Sequence, residues 1–544
     1  MKTQLANTDF IVIGLYFGLL VVVVLYSMFS NRPTKGTESA GYFLGGRNLG
    51  WFVIGASLFA SNIGSEHLIG LAGAGASGEF PAAQFELIAA FMLLLLGWLF
   101  VPFYLNSGVF TMPEFLEKRY SKWARGYLAW VSVVAYVLTK TSVTIAAGAL
   151  IFTSLIGIDF WLGAILVVII TGLYTLAGGL KAVVYTDAVQ MFILVGGSVA
   201  ISFFGIQELG GWTSFTESVP TQHLNLWRSF EDPDFPWTGI LIGAPILGVW
   251  YWCTDQFIVQ RVLSTDKIST ARKATIFAGF LKVLPLFIFV LPGTIAYALS
   301  IQPDPILEFP LKDGKPTYDA ALPVLTMSLL PVGFRGLLVS GLLAALMSSL
   351  SSVFNSCSTL FTIDIYQKYY PKTTDHQLVK VGRVATVVLI VLSLAWIPML
   401  DFIKGGLFQK LQSIQAYIAP PIAAVFIFGI LSKKITAKAT KYALLTGAVI
   451  GSLRLILEIA DPSLPAMLAW FVDVNFLHFA IFLFVLCSAV LFITSYLDRT
   501  DQNTEIIDTL TLSYGKSTGF VWNTNAVLSI ILVFIIFIVW YVFS

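Results

Sequence analysis

The sequence predicts an all-α membrane protein that crosses the bilayer many times, and three observations predict it. Hydrophobic residues make up 57% of the 544 and charged residues 11%, against roughly 25% charged in a soluble domain. Apolar stretches of about 20 residues, the length a helix needs to cross the hydrocarbon core, recur from end to end. Lys and Arg, in turn, gather in alternate loops, as membrane insertion imposes. Length alone would suggest three or four soluble domains at about 150 residues each. Composition excludes them.

Hydropathy divides the chain into fourteen spans. The first, 9–30, is apolar and lacks a small-residue cleavage site, so it reads as a helix rather than a signal peptide. It and the loop after it form an opening segment, 1–50. Spans at 51–74, 82–105, 125–151, 159–179 and 184–208 make a first five-helix unit, 51–208. A polar loop follows at 209–236. Spans at 237–260, 273–300, 329–356, 378–400 and 407–431 make a second unit, 237–431. Three more, 437–459, 475–496 and 523–543, close the chain in 432–544. With the N-terminus outside, 22 loop Lys and Arg fall on the cytoplasmic side and seven outside. The positive-inside rule therefore places both termini outside a cell membrane, the inner membrane in a bacterium. The absence of any Asn-x-Ser/Thr sequon is compatible with that placement.

Two spans are unsuited to plain anchoring. In 51–74 the run Ser61-Asn62-Ile63-Gly64-Ser65-Glu66-His67 puts polar residues and a glycine at membrane depth. In 237–260, Gly243, Pro245 and Gly248 are expected to interrupt the helix just before Trp250-Tyr251-Trp252. Broken backbone is tolerated there only where it is buried in protein or lines a wet cavity. Paired interruptions that open two units point to a transporter built from inverted repeats.

Ionisable groups inside spans are costly and mark function or internal pairing. They are Glu66, His67, Glu86, Lys140, Asp187 and Lys282. Glu86 and Lys282 stand in long apolar helices with no partner nearby in sequence. A second constellation is Ala345, Ser348 and Ser349, spaced i, i+3, i+4 on one helix face. Two hydroxyls and a carbonyl suit a dehydrated sodium ion, although small hydroxyl residues by themselves more often mark close helix packing. Other chemistries find less support. A net charge of +2 gives no basic excess for nucleic acid. Cys253, Cys357 and Cys487 are scattered and offer neither a disulfide framework nor metal spacing. Gly515-Lys516-Ser517-Thr518 imitates the end of a phosphate-binding loop, but Leu510 stands where its first glycine should be. No enzymatic pattern and no obligatory protein partner emerges.

At this point the residues become recognisable. Gly172-Leu173-Tyr174-Thr175-Leu176-Ala177-Gly178-Gly179-Leu180-Lys181-Ala182 resembles the glycine-pair signature of the sodium/solute symporter family. Trp250 to Arg261, Leu281-Lys282 with Pro285, Asn355 to Tyr366, Leu411-Gln412-Ser413-Ile414 and Pro420 to Phe426 are similar to its sodium/glucose cotransporter branch. The resemblance covers roughly 40–540. It implies a LeuT-type core of two inverted five-helix repeats with flanking helices, and sodium-coupled import of a neutral hexose by alternating access.

The resemblance further implies a sodium site from the carbonyls of Ala60, Ile63 and Ala345 and the hydroxyls of Ser348 and Ser349. The sugar site it implies is His67, Glu86, Lys282 and Gln412, with Tyr251 stacking on the pyranose from the cytoplasmic side. Asn62 would link the two sites. Leu71, Phe85 and Phe408 match positions that close the outer side. Asp187, with Ser352, matches a second sodium site of the two-sodium members; from the residues alone it reads equally as an N-cap carboxylate. His67 stands where bacterial galactose symporters carry glutamine, Ala89 and Gly248 replace polar sugar contacts, and Gln415 adds an amide. Glucose, galactose, a related hexose and inositol all remain open. So do a sialic acid, nucleoside or carboxylate substrate and a sensor or channel built on the same fold.

Overall fold

A chain in hydrocarbon must satisfy its backbone polar groups internally, which leaves helices as the economical solution here. The computed structural model describes residues 5–29, 38–312, 314–398, 407–460, 465–498, 504–512 and 523–544. Among them, eleven helices are long and apolar enough to cross a bilayer. Three shorter apolar helices, Trp51–Asn62, Phe160–Leu176 and Gly239–Thr254, are those that end at a break or kink. Strand pairing among the described residues is confined to a hairpin joining Leu311–Lys312 to Lys315–Pro316 and a single antiparallel bridge between Asn48 and Thr265.

Burial sorts the helices into centre and rim. The most apolar stretch of Phe334–Tyr369 is 94% buried, against 22% for Asn7–Ser27 and Thr524–Val542. The rim helices expose Leu15, Val22, Phe534 and Phe537, which suits a lipid-facing surface. The central helix outruns its predicted 329–356 because the polar residues after it are satisfied inside the protein. Ser356 donates to the Gln260 side chain at 3.1 Å, and Gln260 donates to Thr359 at 2.8 Å. Hydropathy ends a span at such residues; internal hydrogen bonding does not.

The first break lies where the sequence places it. Helix Trp51–Asn62 stops, Ile63 (φ −79°, ψ 90°) and Gly64 (φ −89°, ψ 175°) are extended, and Ser65–Ser77 resumes. The second break is displaced from its expected position. Gly243, Pro245 and Gly248 all lie within continuous helical turns, and the chain becomes extended only at Asp255 (φ −78°, ψ 130°) before Gln256–Val262. The two glycines serve close approach instead. A Cβ on Gly243 would lie 2.6 Å from the Leu477 carbonyl, and one on Gly248 2.6 Å from the Met92 side chain. Asp255 makes the break by capping the next helix, accepting from the Phe257 amide at 3.2 Å, with the Tyr136 hydroxyl also donating to its carboxylate.

Predicted spans 159–179 and 184–208 join through a kink rather than a loop. Gly179 (φ 59°) supplies a backbone that side chains resist, and a Cβ there would stand 2.5 Å from the Tyr42 carbonyl. All three cysteines are free and buried. The Gly515–Thr518 run and the Glu66 side chain lie outside the described residues.

Candidate functional site

The two breaks meet around a buried cavity. Asn62, His67, Phe85, Glu86, Ala89, Lys140, Gly248, Tyr251, Trp252, Gln412 and Gln415 line it, so six helical segments contribute. Lys282 is fully buried just behind this wall. Its ammonium donates to Glu86 Oε2 and to Asn62 Oδ1, and sits 5.0 Å from the Trp252 ring centroid. An ammonium in a low-dielectric interior needs such partners, and a carboxylate with an amide oxygen supplies them. Asn62 then passes the contact on, donating from Nδ2 to the Tyr251 hydroxyl at 3.0 Å. Lys140 donates to the same hydroxyl, and its ammonium stands 3.6 Å from the Phe257 ring centroid. Tyr251, in the cavity wall, is therefore held by both Asn62 and Lys140. Of the residues expected to close the outer side, Phe85 lines the cavity and Leu71 is fully buried in Ser65–Ser77. Phe408 stands in the first turn of Leu407–Leu431, and its side chain lies outside the described residues.

The first break also takes two carbonyls out of their helical bonds. In an unbroken helix the carbonyls of Ala60 and Ile63 would accept from the amides of Gly64 and His67. Those amides instead donate to Asn62 O at 3.0 Å and Gly64 O at 3.1 Å. The central helix brings its hydroxyls to the same end: Ser349 donates to Ser61 O at 2.9 Å. Ser348, its neighbour, turns to Asp187 Oδ1 at 2.5 Å. Ala345 is buried one turn before them.

Asp187 is not an N-cap. It lies two turns inside Gly179–Glu208 and is fully buried. Ser57 donates to its second oxygen at 2.5 Å, and Arg261 stands 3.5 Å from that oxygen. Arg261 also donates to Ser57 at 2.8 Å, to the Phe257 carbonyl and to Ser352. Hydropathy assigns Arg261 to a cytoplasmic loop; the fold buries it completely as the bridge between Asp187 and Ser352. Its burial and the contribution of Asp255 escape a sequence reading, because Asp187, Ser57, Ser352 and Tyr136 lie on other helices. Lys140 leaves a signal, a charge inside a span, but nothing in the chain says that it points at Tyr251. Arg454, also within a span, caps the chain elsewhere by donating to the carbonyls of Val472 at 2.7 Å and Val474 at 2.6 Å.

A cavity at the meeting of two broken membrane helices, with freed carbonyls and paired hydroxyls beside it, defines a multi-pass membrane transporter of the LeuT type. The chain belongs to the sodium:solute symporter family, whose model matches residues 42–447. It is 40% identical over 520 residues to human sodium/glucose cotransporter 4, covering 90% of this chain and 75% of that protein. To mouse sodium/glucose cotransporter 1 it is 40% identical over 532 residues, covering 90% and 78%. Its backbone also matches a substrate-bound, outward-open Na+-coupled sialic acid symporter with a TM-score of 0.77 at 21% identity, covering 91% of this chain and 99% of that one. The closed nucleobase-cation symporter Mhp1 matches with a TM-score of 0.52 at 16% identity, over 89% and 99%. These two likenesses concern the fold.

Proposed function

We propose that the chain imports a neutral, glucose- or galactose-like sugar with sodium, by alternating access, and performs no enzymatic chemistry. The observation that carries this reading is the polarity of the cavity wall. Asn62, His67, Glu86, Gln412 and Gln415 offer donors and acceptors; Glu86, the one carboxylate among the described lining residues, is neutralised by Lys282, and Lys140, the one cation among them, is turned onto the Tyr251 hydroxyl and the Phe257 ring. Such a wall suits hydroxyls rather than a net charge, and Tyr251 and Trp252 offer apolar ring faces to a pyranose. About 40% identity to sodium/glucose cotransporters over nine-tenths of the chain supports the same class.

In this reading sodium is held by the carbonyls of Ala60, Ile63 and Ala345 with Ser348 and Ser349, and a second ion at Asp187 and Ser352 when Arg261 withdraws. His67, Glu86, Gln412 and Asn62 bond the sugar, and Lys282 holds Glu86 and Asn62 in place. The cavity is about 50 Å³, room for a few waters, so the sugar enters as Leu71, Phe85 and Phe408 part on the outer side. Inward release requires Tyr251 to leave its bonds to Asn62 and Lys140. The repeats are 51–208 and 237–431, and both termini face outside a cell membrane. Uptake of labelled glucose into proteoliposomes tests the reading: accumulation should need sodium and be suppressed by unlabelled galactose. Sodium binding without any sugar uptake, or uptake competed only by sialic acid or a nucleoside, would overturn it.

A further inference from the structure

Away from the central cavity, two surface cavities share one wall. The first, about 330 Å³, is lined by Lys122, Trp123, Gly126, Asp364, Lys368 and Tyr369. The second, about 270 Å³, is lined by apolar side chains including Val134, Leu138, Ile418 and Leu455. Tyr127, Trp130 and Val131 border both, so the two adjoin as one groove along Lys122–Ala149. Its mouth lies at helix ends: Lys122 opens Lys122–Ala149, and Lys368 is the penultimate residue of Phe334–Tyr369.

Charge and length together specify an occupant. At the mouth, Lys368 Nζ reaches the Lys122 carbonyl at 3.4 Å and stands 3.6 Å from where a Cβ on Gly126 would be. Lys441 Nζ lies 5.6 Å from the centroid of the Trp123 ring. Asp364 also borders the mouth, but Arg125 at 2.7 Å and Thr111 at 2.8 Å hold one of its oxygens, and Arg125 pairs with Glu117 as well. Lys122, Lys368, Lys441 and Arg125 therefore face Asp364 and Glu117, and with nearby Glu114 paired to Lys118 at 3.5 Å the surplus is two positive charges. From Tyr127 to Leu138 the apolar part runs about 16 Å at 1.5 Å per residue. That is about half of a 30 Å hydrocarbon core, the depth of one leaflet. Tyr369, 71% exposed, stands at the mouth as interfacial aromatics do, and Trp130, 51% exposed, stands where the two cavities meet.

We propose that this groove binds one anionic phospholipid, with its phosphate at Lys122 and Lys368 and an acyl chain along Val134, Leu138 and Ile418. Surface lysines facing an anionic headgroup each favour binding enough that removing two weakens it about thirtyfold. The inference rests on the membrane-spanning fold and is independent of which solute is carried.

The full-length protein, delipidated in detergent, is titrated with dioleoyl phosphatidylglycerol or phosphatidylcholine and read by native mass spectrometry. Phosphatidylglycerol should be retained far better than phosphatidylcholine, and about thirtyfold less tightly by Lys122→Gln/Lys368→Gln. Lys434→Gln, an exposed lysine outside the groove, should bind as wild type does. Gly126→Leu keeps the lysines but fills the space beside Lys368 Nζ, and it too should lose the lipid while melting at the wild-type temperature. Equal retention of both lipids, or undiminished phosphatidylglycerol in both altered proteins, would overturn the proposal. Displacement by excess inorganic phosphate would also overturn it, because the apolar groove would then contribute nothing.

Discussion

Gln412 and Lys282 illustrate how differently two polar residues of one site respond to removal. Gln412 lines the cavity and is mostly buried. In the proposed sugar site its amide would serve a ligand hydroxyl through a hydrogen bond of about 0.5–1.5 kcal/mol. Gln412→Ala should therefore weaken sugar binding about tenfold while sodium binding persists, measured by isothermal titration of each. Lys282→Ala would instead strand the Glu86 carboxylate in the interior, a loss of about 3–5 kcal/mol. For that residue the informative protein is Lys282→Met with Glu86→Gln, which should fold but bind sugar poorly. Ser349 carries a separate expectation. Its hydroxyl already meets the broken helix end at Ser61 O, so Ser349→Ala should abolish the normal sodium dependence of uptake. An unchanged sodium titration would assign Ser349 to helix packing alone.

At the scale of elements, contact between helices decides where the site residues stand. Ser65–Ser77, which carries His67 and Leu71, crosses Ile268–Ser300 at backbone distance. A Cβ on Gly75 would fall 2.0 Å from the Val290 carbonyl, and one on Gly293 1.8 Å from the Ala72 carbonyl. Overpacking of this kind costs about 1–3 kcal/mol, more where backbone must shift. Gly293→Ala should accordingly lower the melting temperature in detergent and impair sugar binding together. Gly14→Ala, with nothing within 4 Å, should do neither. Sequence patterning locates the first break, since a polar Ser-Asn-x-Gly run mid-span has few other uses. It misplaces the second. Gly243 and Gly248 carry the composition of a breaker, yet the Leu477 backbone and the Met92 side chain use them as contact surfaces. Asp255 has the breaking role because Tyr136, on another helix, supports it.

For the whole molecule, the buried charges are bound together across the bundle. Lys282 pairs with Glu86, Arg261 with Asp187, and Lys140 reaches Tyr251. If Asp187 holds a second sodium as proposed, its pair with Arg261 sets the energy coupling. At about 100 mV and a tenfold gradient, each sodium supplies about 3.7 kcal/mol. One ion then supports about 500-fold sugar accumulation, and two about 10⁵-fold. A reversal-potential titration in vesicles should show two sodium ions per sugar in the wild type. A ratio of one would make Asp187 an ion-pair residue only. Asp187→Asn should lower the ratio to one, with its thermal stability followed in parallel because Arg261 loses its partner.

The membrane class, the approximate spans and the first break are determined by the sequence alone, because hydropathy is a local sum that the bilayer reads segment by segment. The glycine signature and the short motifs around Tyr251, Lys282 and Gln412 likewise identify the family without coordinates. Only the tertiary structure decided that Lys282 faces Glu86 and Asn62, that Arg261 is interior rather than in a loop, and that the second helix breaks at Asp255. Those outcomes depend on partners 74 to 220 residues away. A buried charge or freed carbonyl is stabilised by whichever group packing brings within about 3 Å, and no property of the residue's own neighbourhood in the chain specifies which group that is.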